Sequence, residues 1–169
     1  MTAETLRILI VDDHAVVRAG LRALLEGEPG LDVIAETGDG REAVHLARRL
    51  RPDVVLMDLR LSDAAASDDG FGGIEATRRI TAAVPGVSVV VLTSYGGRND
   101  VVRAVEAGAR GYILKAGPPE ELFRAVRAAA VSGMGLAPEA AARLVGRTAD
   151  PGRCSASGRP RSYDCWPRG

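Results

Sequence analysis

The chain contains almost no lysine. Of its 22 basic residues one is a lysine, Lys115, and all the others are arginine. Such a composition indicates that lysine has given way to arginine wherever the chemistry tolerates it, so Lys115 is a candidate functional residue. A compact ammonium and a planar guanidinium fork are not interchangeable where a site needs a point charge against one phosphate oxygen. The alternative is an ordinary surface lysine that persists by chance.

Long apolar runs are also absent. No run approaches the roughly 20 residues that a membrane helix needs, and the amino-terminal MTAETLR shows no signal-peptide pattern. The two cysteines, Cys154 and Cys165, lie near the carboxyl terminus at a spacing that fits neither a metal site nor a structural disulfide. We therefore expect a cytoplasmic protein with no membrane partner.

Two patterns alternate along the chain. Short β-branched apolar runs predict strands, and segments of helical period follow each of them. Several runs are apolar almost throughout, which is typical of strands buried on both faces of a parallel sheet. The alternation predicts an α/β fold with a doubly wound, five-stranded parallel sheet, (βα)5. The predicted strands are 7–11, 32–36, 54–57, 87–92 and 111–114.

Helix ends and helix faces follow from the same reading. Pro52, Pro85 and Gly108 predict the ends of the second, third and fourth helices, and the pair at 118–119 predicts the start of the fifth. The apolar stripes expected to face the core in the fourth and fifth helices are Val101, Val102 and Val105, and Leu122, Val126 and Ala129.

Polar residues stand at the carboxyl ends of four predicted strands, where a doubly wound sheet places its ligands. They are Asp12 and Asp13 after the first strand, Asp58 after the third, Thr93 after the fourth and Lys115 after the fifth. Crowded carboxylates repel one another, and a hard divalent cation, above all Mg²⁺, relieves that repulsion. A carboxylate can attack phosphorus while Mg²⁺, an ammonium and a hydroxyl neutralise the transferred phosphoryl group. Any one of these residues alone is also explained by helix capping.

This constellation resembles the receiver domain of two-component response regulators, over residues 5 to about 132. The runs VDDHAVVRAGLRALLE, GIEATRRI, VVVLTSY and AGARGYILKAGPPEEL are similar to receivers that precede a LuxR-type (NarL/FixJ) helix-turn-helix. The resemblance implies a flavodoxin-like fold of strand order 2-1-3-4-5, a receiver domain at 1–132 and a sensor histidine kinase as partner. It also implies homodimers on phosphorylation and no enzymatic activity beyond forming and hydrolysing the acyl phosphate.

The resemblance assigns roles to the metal site and the acceptor. It implies that Asp58 is the phosphoacceptor and that Asp13 is a direct Mg²⁺ ligand. Asp12 is implied to hold the ion partly through water, and the backbone carbonyl of Arg60 to be the remaining protein ligand.

The resemblance also implies a switch. Thr93 corresponds to the hydroxyl that follows the phosphate, Lys115 to the counter-ion of the phosphoryl group, and Tyr112 to the aromatic switch position.

Some residues depart from the family pattern or are given simpler interpretations. The loop at 62–72 is about seven residues longer than the family's, an unusual length for a connection between strand and helix, and its aspartates indicate either added field at the metal or a solvated acidic loop. His14 and His45 have no cysteine or second histidine at metal-ligand spacing, so we assign both to structure, with the His14 ring expected to face solvent.

Three other functions are alternatives to this one. A magnesium-dependent phosphohydrolase that forms an aspartyl phosphate normally has a second acid two residues after its nucleophile, where this chain has Arg60. A flavodoxin-like cofactor binder needs a hydroxyl-rich phosphate loop after the first strand, where this chain has two aspartates. A stand-alone receiver that regulates a partner protein is the alternative to a transcription regulator.

The carboxyl-terminal part of the chain changes character. We expect a partly helical linker at 133–147 and a disordered tail at 148–169, where Gly, Pro, Ser and Arg replace the apolar period. One back-translation of the tail in GC-rich codons, read in a shifted frame, resembles the opening of a LuxR-type helix-turn-helix. We interpret the tail as a frameshifted remnant of a DNA-binding domain, the alternative being a genuine tail. Since 1–132 has no strongly basic stretch, DNA contact is expected only through an output domain absent from this chain.

Overall fold

The computed structural model describes residues 5–61, 71–94 and 98–131. Within these ranges strands and helices alternate, five of each. The strands are β1 (Leu6–Val11), β2 (Leu31–Thr37), β3 (Val54–Asp58), β4 (Ser88–Thr93) and β5 (Gly111–Leu114). The helices are α1 (Ala15–Glu26), α2 (Gly40–Leu50), α3 (Gly73–Ala83), α4 (Arg98–Glu106) and α5 (Pro119–Val131). The predicted linker at 133–147, the tail at 148–169 and most of the inserted loop lie outside the described ranges.

The strands form one parallel sheet in the order β2-β1-β3-β4-β5. This confirms the predicted doubly wound sheet and its strand order. Helices α2, α3 and α4 contribute to the apolar cluster on one face of the sheet, and α1 and α5 contribute to the cluster on the other. The strand order therefore reverses between the neighbouring strands β1 and β3, and sheets of this kind place their ligands at the carboxyl ends of such strands.

The central strands are buried on both faces, as their apolar runs predict. Every residue of β3 and β4 is buried. Val55 and Met57 pack into one cluster, whereas Val54 and Leu56 pack into the other. Each such side chain contributes on the order of 1.5–3 kcal/mol by leaving water, so the strand that carries Asp58 has a rigid base.

The helix ends lie close to the predicted positions. Helix α2 begins after Asp39, whose side chain accepts hydrogen bonds from the backbone N–H groups of Arg41 and Glu42 at 2.6 and 3.1 Å. It ends at the left-handed Arg51, just before Pro52. The predicted starts and stops at 52, 85, 108 and 119 are all confirmed within a few residues.

The predicted core face is correct for α5 and wrong for α4. All three residues of the α5 stripe are buried. In α4 the buried residue is Ala104, while Val102 is 36% exposed and Val101 and Val105 are half-buried. Ala104 is the residue through which α4 joins the apolar cluster that it shares with α2 and α3. Among the described residues no helix combines the length and apolarity needed to cross a membrane.

Candidate functional site

The five predicted side chains do meet at the carboxyl edge of the sheet. Val11 pairs with Met57, so Asp12 follows β1 at the level where Asp58 ends β3. Asp58 pairs with Leu92, which places Thr93 one residue further along β4. The register of the parallel strands therefore brings these side chains together, and no long loop is needed to do so.

Lys115 joins two of the carboxylates. Its Nζ lies 2.5 Å from Oδ2 of Asp12 and 2.8 Å from Oδ2 of Asp58. Its backbone N–H donates to the carbonyl of Thr93 at 2.8 Å, which fixes the root of the side chain against β4. Asp12 is 0% exposed and Asp58 is 2% exposed, so water screens these ion pairs poorly.

The Lys115 ammonium is stabilised in its charged form. Burial by itself lowers the pKa of this amine, but the hydrogen bonds and charges of Asp12 and Asp58 outweigh burial and raise the pKa above its ordinary value. The residue is therefore a permanent cation at neutral pH, and it neutralises part of the negative charge of the site.

The site has the donor set of a cation site. One oxygen from each of Asp12, Asp13 and Asp58 and one nitrogen of His14 all lie within 4.8 Å of one another. Three carboxylates and the Lys115 ammonium together carry a formal net charge of minus two. Oxygen ligands and that charge fit a hard divalent cation such as Mg²⁺.

His14 is exposed, as expected from the sequence, and it also contacts the site. Its side chain is 68% exposed, but Nδ1 lies 2.6 Å from Oδ1 of Asp13. Its backbone N–H donates to Oδ1 of Asp12 at 2.8 Å. Its position directly after the aspartate pair was the available signal, and the sequence analysis assigned it to structure because no second histidine or cysteine accompanies it.

Arg60 also contacts the acceptor, through its backbone. Its N–H donates to Oδ1 of Asp58 at 3.2 Å, so one oxygen of Asp58 contacts this N–H and the other contacts Lys115. The Arg60 side chain is exposed. That its carbonyl is a metal ligand stays a prediction.

Gly73, which the sequence analysis did not single out, allows the start of α3 to pack directly against the backbone at the end of β3, which carries Asp58. A Cβ at this residue, the first of α3, would lie 2.0 Å from the carbonyl oxygen of Asp58 and 2.9 Å from Cα of Leu59. Only glycine lets α3 start this close to the backbone of β3. The doubled glycine in GFGGIEA was the available signal.

Arg18 and Gly38 hold the loop that carries the aspartate pair. Nη1 of Arg18 donates to the backbone carbonyl of Asp12 at 2.6 Å. A Cβ at Gly38 would lie 3.1 Å from that Nη1 and 3.4 Å from Cα of Asp13, so glycine makes room for the arginine. Neither residue was predicted, because their proximity depends on how α1 and β2 pack against β1.

The predicted switch residues lie on neighbouring strands. Thr93 is buried at the end of β4. Tyr112 lies in the neighbouring strand β5, where it pairs with Val91 of β4. Its side chain is half-buried against the apolar cluster shared by α2, α3 and α4. Their function as a switch stays a prediction.

Phe71 anchors the far end of the inserted loop. Its ring is buried and lies between two arginine side chains, with Cζ of Arg41 4.5 Å and Cζ of Arg79 4.7 Å from the ring centroid. The insertion therefore returns to the sheet at a fixed point beside α2 and α3, just before Gly73.

Comparison with known proteins gives a consistent result. Residues 8–127 match the family model described as the response regulator receiver domain. The chain is similar to the transcriptional regulatory protein LiaR of Bacillus subtilis, at 40% identity over 142 residues, and to the nitrate/nitrite response regulator protein NarP of Escherichia coli, at 42% over 130 residues. These matches cover 84% and 76% of this chain but only 64% and 56% of the relatives.

This chain is also similar to a solved structure, which it matches over nearly the whole length of that structure. It is a two-component response regulator of the LuxR family from Aurantimonas sp. SI85-9A1, with a TM-score of 0.74 and 39% sequence identity. The match covers 86% of this chain and 99% of that one.

Proposed function

The chain belongs to the response regulator receiver domain family, and on that premise we propose that it accepts a phosphoryl group on Asp58 in the presence of Mg²⁺. The observation that carries the proposal is the pairing of the buried Asp58 carboxylate with the Lys115 ammonium at 2.8 Å, beside Asp12 and Asp13. Asp58 is the member of the cluster that ends the central strand.

The side chains divide the chemistry among them. An oxygen of Asp58 attacks phosphorus, and the bond between phosphorus and the imidazole nitrogen of a phosphohistidine donor breaks. Lys115 follows the oxygens of the transferred group as a point charge, and the Thr93 hydroxyl donates to another of them. Asp12, Asp13 and Asp58 would hold Mg²⁺, which would supply positive charge to balance the phosphoryl oxygens.

The donor in this proposal is a sensor histidine kinase, as expected of a two-component response regulator. The aspartyl phosphate shifts an equilibrium between two conformations, with Thr93 and Tyr112 as the moving parts. The output is transcriptional control through a dimer and a helix-turn-helix domain. Two relatives support a transcriptional output, because LiaR is named a transcriptional regulatory protein and NarP a response regulator protein.

A phosphohydrolase finds no support in the geometry. Two residues after Asp58, the position for a general acid holds Arg60, whose side chain is exposed and basic. The site supports the formation of an acyl phosphate and contains no acid at the place where such an enzyme needs one.

The test is phosphorylation with a small phosphodonor and Mg²⁺, followed by intact-protein mass spectrometry. The wild-type chain should gain one phosphoryl group, and Asp58→Asn should gain none. The matched control is Asp53→Asn, which changes an acid at the opposite edge of the sheet and should be phosphorylated like the wild type. Labelling of Asp58→Asn would contradict the assignment.

Two further variants separate acceptance from transmission. Lys115→Arg keeps the charge, but its wider fork does not fit between Asp12 and Asp58, so signalling should be impaired. Thr93→Ala should still accept phosphate and should fail to shift the conformation, as read from the Tyr112 NMR resonances with and without phosphodonor. Wild-type behaviour of both variants would show that these residues are ordinary.

A further inference from the structure

We propose that Arg18 is a positioning residue for the phosphorylation of Asp58, because its guanidinium fixes the peptide unit between Asp12 and Asp13. The inference rests on the proposed function and deepens it. It gives a role at the site to helix α1, none of whose residues belongs to the acidic cluster.

The first support is the way in which the backbone at the aspartate pair is held. A peptide unit is planar, so a hydrogen bond to its carbonyl or its N–H sets the direction of the whole unit. The unit before Asp12 is held by β2, because the N–H of Asp12 donates to the carbonyl of Thr37 at 3.0 Å. The unit after Asp13 is held by Oδ1 of Asp12, which accepts from the N–H of His14 at 2.8 Å. The unit between the two aspartates is held by Nη1 of Arg18, which donates to the carbonyl of Asp12 at 2.6 Å, so Arg18 sets the direction in which both carboxylates start.

The second support is the seat of the guanidinium. A Cβ at Gly38 would lie 3.1 Å from Nη1 of Arg18 and 3.4 Å from Cα of Asp13, so the glycine leaves the space that the guanidinium needs. Nε of Arg18 is buried and has no hydrogen-bond partner among the described residues. Withdrawing an N–H group from water without a partner is unfavourable. The guanidinium is therefore kept at the aspartate pair although solvation would favour a position further out.

The third support is the packing of α1 near the site. All of α1 lies in the described part of the chain, and Leu25, in its last turn, is its one buried residue. The start of the helix has no side-chain cap, because His14 accepts no hydrogen bond from it. The hydrogen bond from Arg18 therefore ties the first turns of α1 to the aspartate pair, where apolar burial contributes least.

The effect of Arg18 on phosphorylation is indirect. With acetyl phosphate as donor, an oxygen of Asp58 forms the new bond to phosphorus, and the bond from phosphorus to acetate breaks with its electron pair leaving on acetate. Arg18 is bonded to the backbone and takes no part in this step. It orients two carboxylates that would hold Mg²⁺, so its loss should raise the Mg²⁺ requirement and leave the step itself intact.

The test compares Arg18→Ala with the wild type and with Arg22→Ala, which removes an exposed arginine one turn further along α1 that pairs with Glu26. Initial rates of phosphorylation by acetyl phosphate are measured over a range of Mg²⁺ concentrations, and urea denaturation checks the fold. In Arg18→Ala the Mg²⁺ concentration at half-maximal rate should rise about 10-fold, as for the loss of a group that orients a metal ligand. The rate at saturating Mg²⁺ should stay close to that of the wild type. Arg22→Ala should match the wild type in both measurements.

A second variant tests the seat of the guanidinium. In Gly38→Ala the added Cβ would displace Nη1 of Arg18 from the carbonyl of Asp12, so the Mg²⁺ requirement should rise. In the Arg18→Ala background the same substitution should have no further effect, because the group that it displaces is gone. Additive effects of the two substitutions would overturn the proposal.

A spectroscopic measurement needs neither phosphorylation nor Mg²⁺. In Mg²⁺-free buffer the NMR resonance of the buried Arg18 Nε–H should exchange slowly with water in the wild type. The carbonyl carbon resonance of Asp12 and the amide resonance of Asp13 should shift in Arg18→Ala, and both should stay unchanged in Arg22→Ala.

The outcomes separate this inference from the proposed function. Unchanged Asp12 and Asp13 resonances in Arg18→Ala, or an unchanged Mg²⁺ requirement, would overturn the inference and leave Asp58 phosphorylation untouched. A wild-type protein that takes up no phosphoryl group, with shifted Asp12 and Asp13 resonances in Arg18→Ala, would overturn the proposed function, while the hold of Arg18 on the aspartate pair would stand.

Discussion

The two edges of this one sheet are built in opposite ways. At the amino edge the polar groups are paired. Oδ2 of Asp53 accepts from the backbone N–H of Arg7 at 2.8 Å. The Ser88 hydroxyl donates to the carbonyl of Ala129 at 2.7 Å and accepts from Nη1 of Arg110 at 3.1 Å. Each bond ties a strand end to a neighbouring strand or to α5, so this edge contributes to stability.

At the carboxyl edge the polar groups are crowded instead. Asp12, Asp13 and Asp58 face one another, with a single ammonium, that of Lys115, between two of them. Like charges held this close oppose folding. A bound cation reduces that repulsion and stabilises the folded chain, whereas a phosphoryl group adds negative charge to the same edge. The comparison shows how one sheet can combine a stable base with a reactive rim, a division that is common where function requires a destabilised site.

The largest effect is expected from Gly73→Ala at the carboxyl edge. It tests whether this edge depends on a close backbone contact in addition to its crowded charges. Gly73→Ala would place a methyl group 2.0 Å from the Asp58 carbonyl oxygen. Either α3 or the end of β3 has to move, so we expect a loss of about 3 kcal/mol or more in the free energy of unfolding. Phosphorylation of the displaced Asp58 should fall as well. Urea denaturation and phosphodonor labelling measure the two effects.

The matched control is Gly20→Ala in α1, where no atom lies within 4 Å of the added Cβ. This variant should be more stable than the wild type by roughly 0.5–1 kcal/mol, because alanine favours a helix over glycine. If Gly73→Ala and Gly20→Ala have the same stability, α3 is not held against the acceptor strand as the structure indicates.

The second prediction compares one acid from each edge. Asp53→Ala removes the acceptor for the Arg7 N–H and should cost about 1 kcal/mol. Asp13→Ala removes one of three crowded carboxylates and should instead stabilise the fold by on the order of 1 kcal/mol in Mg²⁺-free buffer. The measurement is urea denaturation in the presence of a chelator. Added Mg²⁺ should reduce the gain of Asp13→Ala, because it stabilises the wild type by binding. Effects of the same sign at both edges would remove the contrast.

Much of this architecture could be predicted from the sequence. Buried parallel strands leave continuous apolar runs, so β3 and β4 were recognisable, and residues that follow strands in a parallel sheet must share an edge. Asp12, Asp58, Thr93 and Lys115 could therefore be placed together before any contact was known.

The rest depends on packing between elements, which leaves weak local signals. The α4 face was wrong because the helical period alone does not distinguish the small Ala104, which is buried, from the larger valines beside it. Gly73 is needed because of a contact with Asp58, fifteen residues earlier in the chain. The contact of the exposed His14 ring with Asp13 could not be predicted, because a residue at a helix start has several rotamers and only the neighbouring carboxylates select one.

The smallest effect expected is the pH dependence of stability that comes from Lys115, the ammonium that joins Asp12 and Asp58. Its pKa is raised in the folded chain, because the hydrogen bonds and charges of Asp12 and Asp58 outweigh the opposing effect of burial. A group whose folded pKa is raised contributes stability that is fully present below its unfolded pKa and is lost as pH rises through the folded value.

In Mg²⁺-free buffer Lys115→Met should therefore be less stable than the wild type, by an amount that is constant from neutral pH to the ordinary lysine pKa of 10.5 and shrinks above it. Urea denaturation of both proteins between neutral and strongly alkaline pH measures the difference. Because the chain has no other lysine, and both proteins carry the same tyrosines and cysteines, the pH dependence of the difference between them isolates the contribution of Lys115. A difference that already declines below 10.5, or that persists unchanged far above it, would show that this ammonium does not compensate the carboxylates of the edge.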